Sequence, residues 1–528
     1  MIEGGGAAFE DALKLDLPRG LEKQARAVGR DRGLSARWRG ADELTGGHWQ
    51  AEDGILLGYR GGRVVGWRDD RHMLTIAGSR AGKGVSLIIP NLIYYRGSAV
   101  VIDPKGENAA RTAGRRGKGT KAGGAGLGQD VHVLDPFGES GIPTASFNPL
   151  ELLDPNSPDV VEDIGLFADA LITHPEHGER HWSDSAQALI RALILLVVAD
   201  VRFRDRRNLI TVRGLLNLTD PTIEKEQALF EERFGGGKSK GDNFGTGKMS
   251  AERALIKMLD DQTGTPYGYV CIGMAEQLMA MGDKERGSVL SSARTQTQWL
   301  DSPKMTAVLE NTDFDLADLK RKRATVYLCL PATRMTTHAR WLRLVVLLAL
   351  GAMERVKTKP ELPVLFVLDE FPVLGYLQSV EMVAGLMAGF GVKLWPIIQN
   401  VGQLKQHYSK SWETFIANSG IVTAFGVSDS ESLKVLSECL GRTGVVVKTD
   451  SGASRGALMQ GASPFHDDRR ELPLLAEHEL RMAFGRGKDR VLIYNVENEP
   501  AVARRFVYFR DPIFAGLYDP DPNYGPRQ

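Results

Sequence analysis

The chain has 528 residues, of which 42% are apolar and 25% charged, and its 66 basic side chains balance 66 acidic ones. That length exceeds what one hydrophobic core supports, and about 150 residues per domain implies two to four units. Zero formal charge removes any argument for a polyanionic partner from global electrostatics, so charge matters only locally. Cys271, Cys329 and Cys439 are the three cysteines, and their lack of metal-ligand spacing argues against a disulfide framework or zinc centre and for a reducing cytoplasm. The N-terminus carries no basic region followed by an apolar core, the mark of a secretory signal. The most apolar stretches, Leu189 to Ala199 and Leu342 to Met353, fall short of the roughly 20 residues needed to cross a bilayer. They are expected as buried helices.

In chain order, residues 1–50 are polar, glycine-rich and weakly periodic, a loosely attached lead-in. Leu74 to Ala77 then forms an apolar run ending in glycine, Val85 to Tyr95 an apolar segment, and Ser98 to Ile102 a second run ending at Asp103. Strand, tight glycine turn, helix and strand make one βαβ unit, which demands a parallel sheet. A glycine-rich basic stretch from Arg115 to Gly128 reads as a flexible loop, and Val131 to Asp135 as another strand ending in an acid. Residues 51–150 are thus expected to be the first part of a nucleotide-binding α/β domain.

The texture changes over residues 151–302. HWSDSAQALIRALILLVVADVRFR places Ala186, Leu189, Ile190, Leu193, Val197 and Val201 at helical spacing, with Ser183 as N-cap. MSAERALIKMLDD and KERGSVLSSARTQTQWL repeat that texture, so an all-α domain is expected there. Strand signals return at Ala324 to Leu330, Val364 to Leu368, Leu394 to Ile398, Ile421 to Phe425 and Arg490 to Asn495. Residues 303–528 complete the interrupted α/β domain.

Two segments carry chemistry. IAGSRAGKGVS, residues 76–86, is close to the phosphate-binding pattern G-x-x-x-x-G-K-[ST], with Ala77 in place of its first glycine and Gly84 in place of its hydroxyl. Backbone N–H groups of Ser79 to Val85 would cradle an anion at a helix N-terminus, and Lys83 would reach the β- and γ-phosphates. Without a hydroxyl at position 84, Mg²⁺ would depend on water, on Asp369 and on the phosphates, or on Ser86 reaching in. LPVLFVLDEFPVLG, residues 362–375, is an unbroken apolar run ending in Asp369-Glu370, as a strand buried on both faces requires. At the carboxyl end of a parallel strand the first acid would order Mg²⁺ and the second would polarise an attacking water. Alone the pair reads equally as a cap and an exposed residue; joined to the lysine loop it reads as NTP hydrolysis.

HMLTIAGSRAGKGVSLIIPNLIYYRGSAVVIDPKGENAARTAGRR resembles the phosphate-loop region of the type IV secretion coupling proteins, the conjugative DNA-transfer ATPases. The likeness continues through HWSDSAQALIRALI, KERGSVLSSA, TVYLCLPATRM, LDEFPVLG, IIQNVGQLKQHY, ETFIANSG, DSESLKVLSECLG, RRELPLLAEHELR and FRDPIF, in order over about residues 55–515. It implies an α/β, RecA-like P-loop domain with a mainly parallel sheet, interrupted by an all-α domain. It also implies ATP and Mg²⁺ as cofactors, with Gly78, Ser79, Arg80, Ala81, Gly82, Lys83, Gly84, Val85 and Ser86 forming the phosphate loop. Asp369 becomes the metal-ordering acid, Glu370 the catalytic glutamate and Gln399, at the end of the strand LWPIIQ, the γ-phosphate sensor.

The partners implied are single-stranded DNA, relaxase or effector proteins, type IV secretion channel components and five further copies in a homo-hexamer. The implied location is the cytoplasmic face of the bacterial inner membrane. Family members usually begin with two membrane-spanning helices and this chain shows none, so either they were removed or the chain attaches through partners. Other readings are a ring DNA translocase for segregation or packaging, and an adaptor that uses nucleotide only to assemble. A trans-acting arginine is sought at Arg71 or Arg442, DNA contacts at Arg111 to Lys121 and Lys320 to Arg323, and cargo recognition on the helical insertion.

Overall fold

The structure, a computed structural model, describes residues 36–173, 180–234, 249–377, 380–381, 387–450 and 465–521. The first 35 residues of the expected lead-in lie outside the described residues. Those from 36 onward are tied to the body, with Ala36 N–H donating to the Arg442 carbonyl and Arg39 N–H to that of Pro500.

An 11-stranded sheet organises the molecule, in the order β2-β1-β13-β12-β9-β3-β8-β7-β4-β6-β5. Seven of these run parallel: β9 (Ser419–Phe425), β3 (His72–Ala77), β8 (Val392–Ile398), β7 (Val364–Leu368), β4 (Ala99–Asp103), β6 (Ala324–Cys329) and β5 (Asp130–Leu134). Every predicted strand is among them except Arg490 to Asn495, which is β12 (Arg490–Asn495) in the antiparallel extension with β13 (Asn498–Arg504), β1 (Ile55–Arg60) and β2 (Arg63–Trp67).

The parallel strands lack hydrophobic alternation because both faces are covered. Along β3, Leu74 and Ile76 join one buried cluster and Met73 and Ala77 the other, the period of two that sends successive side chains to opposite faces. Polar side chains inside are paired across strands: Thr75 and Thr423 hydroxyls meet at 2.8 Å, and the Trp395 indole N–H donates to Thr75 at 2.8 Å.

Between β5 and β6 the described chain is helical, from Pro149–Leu152 to Asp318–Arg321. This carries helical structure past the expected limit at residue 302. The apolar helix Arg180–Ala199 begins ahead of Ser183, so Ser183 is a buried helical residue and not its cap. That helix is long and apolar enough to cross a membrane, but 67% of its apolar window is buried inside the protein, packed in the same cluster as one face of the sheet. Leu342 to Met353 lies in the buried helix Met335–Arg355.

The segment expected as a flexible loop is pinned. Glu107–Arg116 is helical, and beyond it Thr120 Oγ1 donates to the Gly516 carbonyl at 2.7 Å and Lys121 N–H to Asp519 at 2.6 Å.

Candidate nucleotide site

The phosphate-loop candidate falls at the carboxyl end of β3, between the ends of β8 and β9. Its path is set by close packing. A Cβ on Gly78 would lie 2.1 Å from the Gly426 carbonyl, and one on Gly426 would lie 2.4 Å from Ala81 Cβ, so neither position admits a side chain. Gly82 turns the chain at φ +86°, a conformation glycine adopts without steric cost, and Lys83 leads into the helical turn Gly84–Ile88. The first N–H groups of that turn have no partner further back in the helix and point where an anion is best stabilised. Of the expected cradle, Ala81 N–H is used internally on the Gly78 carbonyl at 3.1 Å.

A Cβ on Gly84 would meet nothing within 4 Å, so no steric demand selects glycine there. Ser86 does not reach in: it is buried, and its hydroxyl donates to the Gly82 carbonyl at 2.9 Å.

Three strand ends converge on Glu370. From β3 the Lys83 ammonium lies 2.7 Å from Asp369 Oδ1 and 2.5 Å from Glu370 Oε1, both acids following β7. From the end of β8, Gln399 Nε2 donates to Glu370 Oε2 at 3.1 Å, and Gln399 is itself held through its N–H by Gln403 at 2.8 Å. Glu370 sits at φ 59°, ψ 42°, left-handed for a non-glycine residue, a strain of about 1–2 kcal/mol that clusters at functional sites. Burial alone would push the Lys83 ammonium down, but the two carboxylates outweigh it and hold it above its ordinary value. Burial pushes the Asp369 carboxyl up, and Lys83 opposes that rise.

Asp103, at the end of β4, is also buried and pushed up to about 7 by desolvation. It caps the following helix, accepting from Ala109 N–H at 2.8 Å.

The donor set fits a nucleotide carrying Mg²⁺. Among the described residues no three His, Cys, Asp or Glu side chains group to hold a metal alone. Asp369, a carboxylate beside the loop lysine, would be one ligand, with water and phosphate oxygens supplying the rest.

Other expected positions lie elsewhere. Arg71 precedes β3, at the end of the strand opposite the phosphate loop, and binds Asp69 at 3.2 Å and Glu497 at 2.8 Å. Arg442 begins a separate ribbon, β10 (Arg442–Asp450) paired with β11 (Phe465–Pro473).

Most cations of the two basic runs already have partners within the protein. Arg116 is fully buried and donates to the carbonyls of Leu92, Tyr95 and Gly97, Arg111 donates to the Asp519 carbonyl, and Arg115 donates to those of Ile93 and Ala125. Lys320 is buried on the Met353 and Val356 carbonyls, while Arg321, Lys322 and Arg323 pair with Asp315, Asp318 and Glu361. These cations close helix ends and loops, leaving Lys118 and Lys121 as the exposed cations of the first run.

A family model described as type IV secretory system conjugative DNA transfer matches residues 28–517. The chain belongs to this family. Within it, the conjugal transfer protein TraG of Escherichia coli is 27% identical over 524 residues, covering 91% of this chain and 75% of that one. The type IV secretion system-coupling protein VirD4 of Bartonella quintana is 26% identical, and the alignment covers 83% of this chain but 63% of the Bartonella protein. Among solved structures, the bacterial conjugative coupling protein TrwBΔN70 matches with a TM-score of 0.60 at 15% identity, covering 89% of this chain and 92% of that one. TrwB bound to a non-hydrolysable ATP analogue matches with a TM-score of 0.58 at 16% identity, covering 92% and 96%. The likeness bears out the expected RecA-like α/β fold.

Sequence reasoning missed part of the site wall. Gly426 follows an evident strand and so carried a weak turn signal. Arg505, behind the loop, carried none.

Proposed function

We propose that the chain is an ATP-hydrolysing coupling motor of a type IV secretion system, moving relaxase-bound single-stranded DNA or protein effectors toward the channel. The observation that carries this is the convergence of Lys83, Asp369, Glu370 and Gln399 within 2.5–3.1 Å at the carboxyl ends of three parallel strands. Lys83 leaves the two carboxylates when phosphates arrive and binds the β- and γ-oxygens from the loop side. Its departure frees Glu370 Oε1 to accept a proton from water, while the Gln399 amide keeps the other carboxylate oxygen fixed and so sets the direction of attack. Asp369 would hold Mg²⁺, whose charge neutralises the transferring phosphoryl group. TrwB, which shares the fold, has been solved with ADP and Mg²⁺, and this supports the same cofactors here.

The family and its conjugal relatives support DNA and secretion-channel partners at the bacterial inner membrane, and a ring of identical subunits is proposed as the working form. The helical insertion between β5 and β6 is the proposed cargo-binding part.

ATP turnover measured with and without single-stranded DNA tests the motor. Glu370→Gln keeps the side chain's shape and the Gln399 contact, so it should retain ATP binding and lose hydrolysis by about 10² to 10⁴, the worth of a positioned base. Parental turnover in that variant, or no turnover in the parent with DNA present, would overturn the assignment.

A further inference from the structure

The phosphate loop leans on a cation that no motif marks. Arg505 follows β13, and its Nη1 donates to the Ala81 carbonyl at 2.5 Å while Nη2 donates to the Lys488 carbonyl at 2.5 Å. The guanidinium lies 4.8 Å from the ring centre of Phe425, the last residue of β9, so its flat face is fixed by an aromatic wall. The Arg505 backbone N–H donates to the Asp489 carbonyl at 2.6 Å. These bonds all end on backbone carbonyls, and burial pushes the guanidinium down from its ordinary value. The nearby Asp489 carboxylate partly offsets that fall, and the rest of the guanidinium's field acts on what lies beyond the carbonyl.

What lies beyond is the anion cradle. The C=O of Ala81 and the N–H of Gly82 belong to one trans peptide and point in opposite directions. Arg505 therefore stands behind the peptide whose N–H opens the turn to Lys83, with Nη1 3.6 Å from the place a Cβ on Gly82 would take. A cation bonded to a carbonyl withdraws electron density along the amide and strengthens its N–H as a donor. The same bond holds Gly82 at φ +86° before any ligand arrives, so the loop enters binding with its ordering cost already met.

We propose that Arg505 is a positioning residue for nucleotide phosphates: it orients and polarises the Ala81–Gly82 peptide from behind without touching the nucleotide. This rests on the nucleotide reading of the site. It also ties the loop to the segment Phe484 to Asp489, since the Gly426 N–H donates to the Phe484 carbonyl at 2.6 Å and Arg505 bridges Ala81 to Lys488.

The test is the affinity of the full chain for a fluorescent methylanthraniloyl-ATP, in the parent, Arg505→Met, Arg505→Gln, Arg505→Lys and Lys83→Ala. Methionine keeps bulk against Phe425 without charge or donor, glutamine keeps a donor without charge, and lysine keeps both. A cation acting through a peptide conveys only part of what a direct charged hydrogen bond contributes, so methionine and glutamine should each weaken binding about tenfold. Lysine should stay within about threefold of the parent. Glutamine binding as well as lysine, all three variants losing equally, or methionine within twofold of the parent would each overturn the proposal, and the lysine–glutamine comparison stands even if the methionine variant fails to fold. Parental affinity in Lys83→Ala removes the site itself, and Arg505's role with it; weakened binding there with unchanged Arg505 variants removes only the role.

Discussion

Replacing Lys83 by alanine leaves Asp369 and Glu370 facing each other without the cation that now sits 2.7 and 2.5 Å from them. At an effective dielectric of about 20, each contact represents roughly 6 kcal/mol of gross attraction, most of it offset by the cost of desolvating three charged groups. Breaking a fully buried pair costs about 3–5 kcal/mol. Here the side chains of Lys83, Asp369 and Glu370 retain 20%, 11% and 24% exposure, so solvent relieves part of that and a loss of about 2 kcal/mol is expected near pH 8. The sign with pH follows from Asp369. An acid pushed up by the fold is most favourable below its ordinary range and loses stability as pH rises through its folded value. Removing Lys83 pushes it higher still, so the variant should be most destabilised at pH 8 and approach the parent near pH 5. The Lys83 ammonium, itself held up, contributes stability that is lost only in alkali, so the parent shows no compensating change in that window. Urea midpoints of ligand-free parent and variant at pH 5, 6.5 and 8 read this out. An equal loss at all three, or none at pH 8, refutes the reasoning.

The loop glycines should separate cleanly. Gly84→Ser meets no neighbour within 4 Å and gains helix propensity of about 0.5 kcal/mol, so thermal stability should hold or rise and Mg²⁺-dependent nucleotide affinity should increase. Gly78→Ala, whose Cβ would lie 2.1 Å from the Gly426 carbonyl, should lose nucleotide binding in the same assay. Neutralising Arg321, Lys322 and Arg323 together should leave the salt dependence of single-stranded DNA binding unchanged, because each already pairs with an acid. A slope smaller by about 0.7 per residue, the value for a released counterion on single strands, would return them to the DNA path.

Local pattern was enough wherever the signal was short-range. The apolar runs of the parallel strands, the glycine loop with Lys83, and the acids closing β7 were readable because a strand buried on both faces must be continuously apolar and its carboxyl end must carry the chemistry. The hairpin of β1 and β2 is not among the expected elements, although ILLGYRGGRVVGW holds two apolar runs around a Gly-Gly turn, a signal of the expected kind.

The chain by itself determined which residue types stand at the strand ends, and so the class of site. Only the tertiary structure decided which charges are free to act. Arg116 and Lys320 look like polyanion contacts in a basic run, yet each is buried on backbone carbonyls left open by the chain. Arg505 looks like nothing, yet it stands behind the phosphate loop 424 residues away from Ala81. The reason is physical: an unpaired carbonyl or helix end costs free energy only once folding removes it from water, and which cation lies near enough to satisfy it depends on strand order and close packing, quantities that no local window of sequence contains.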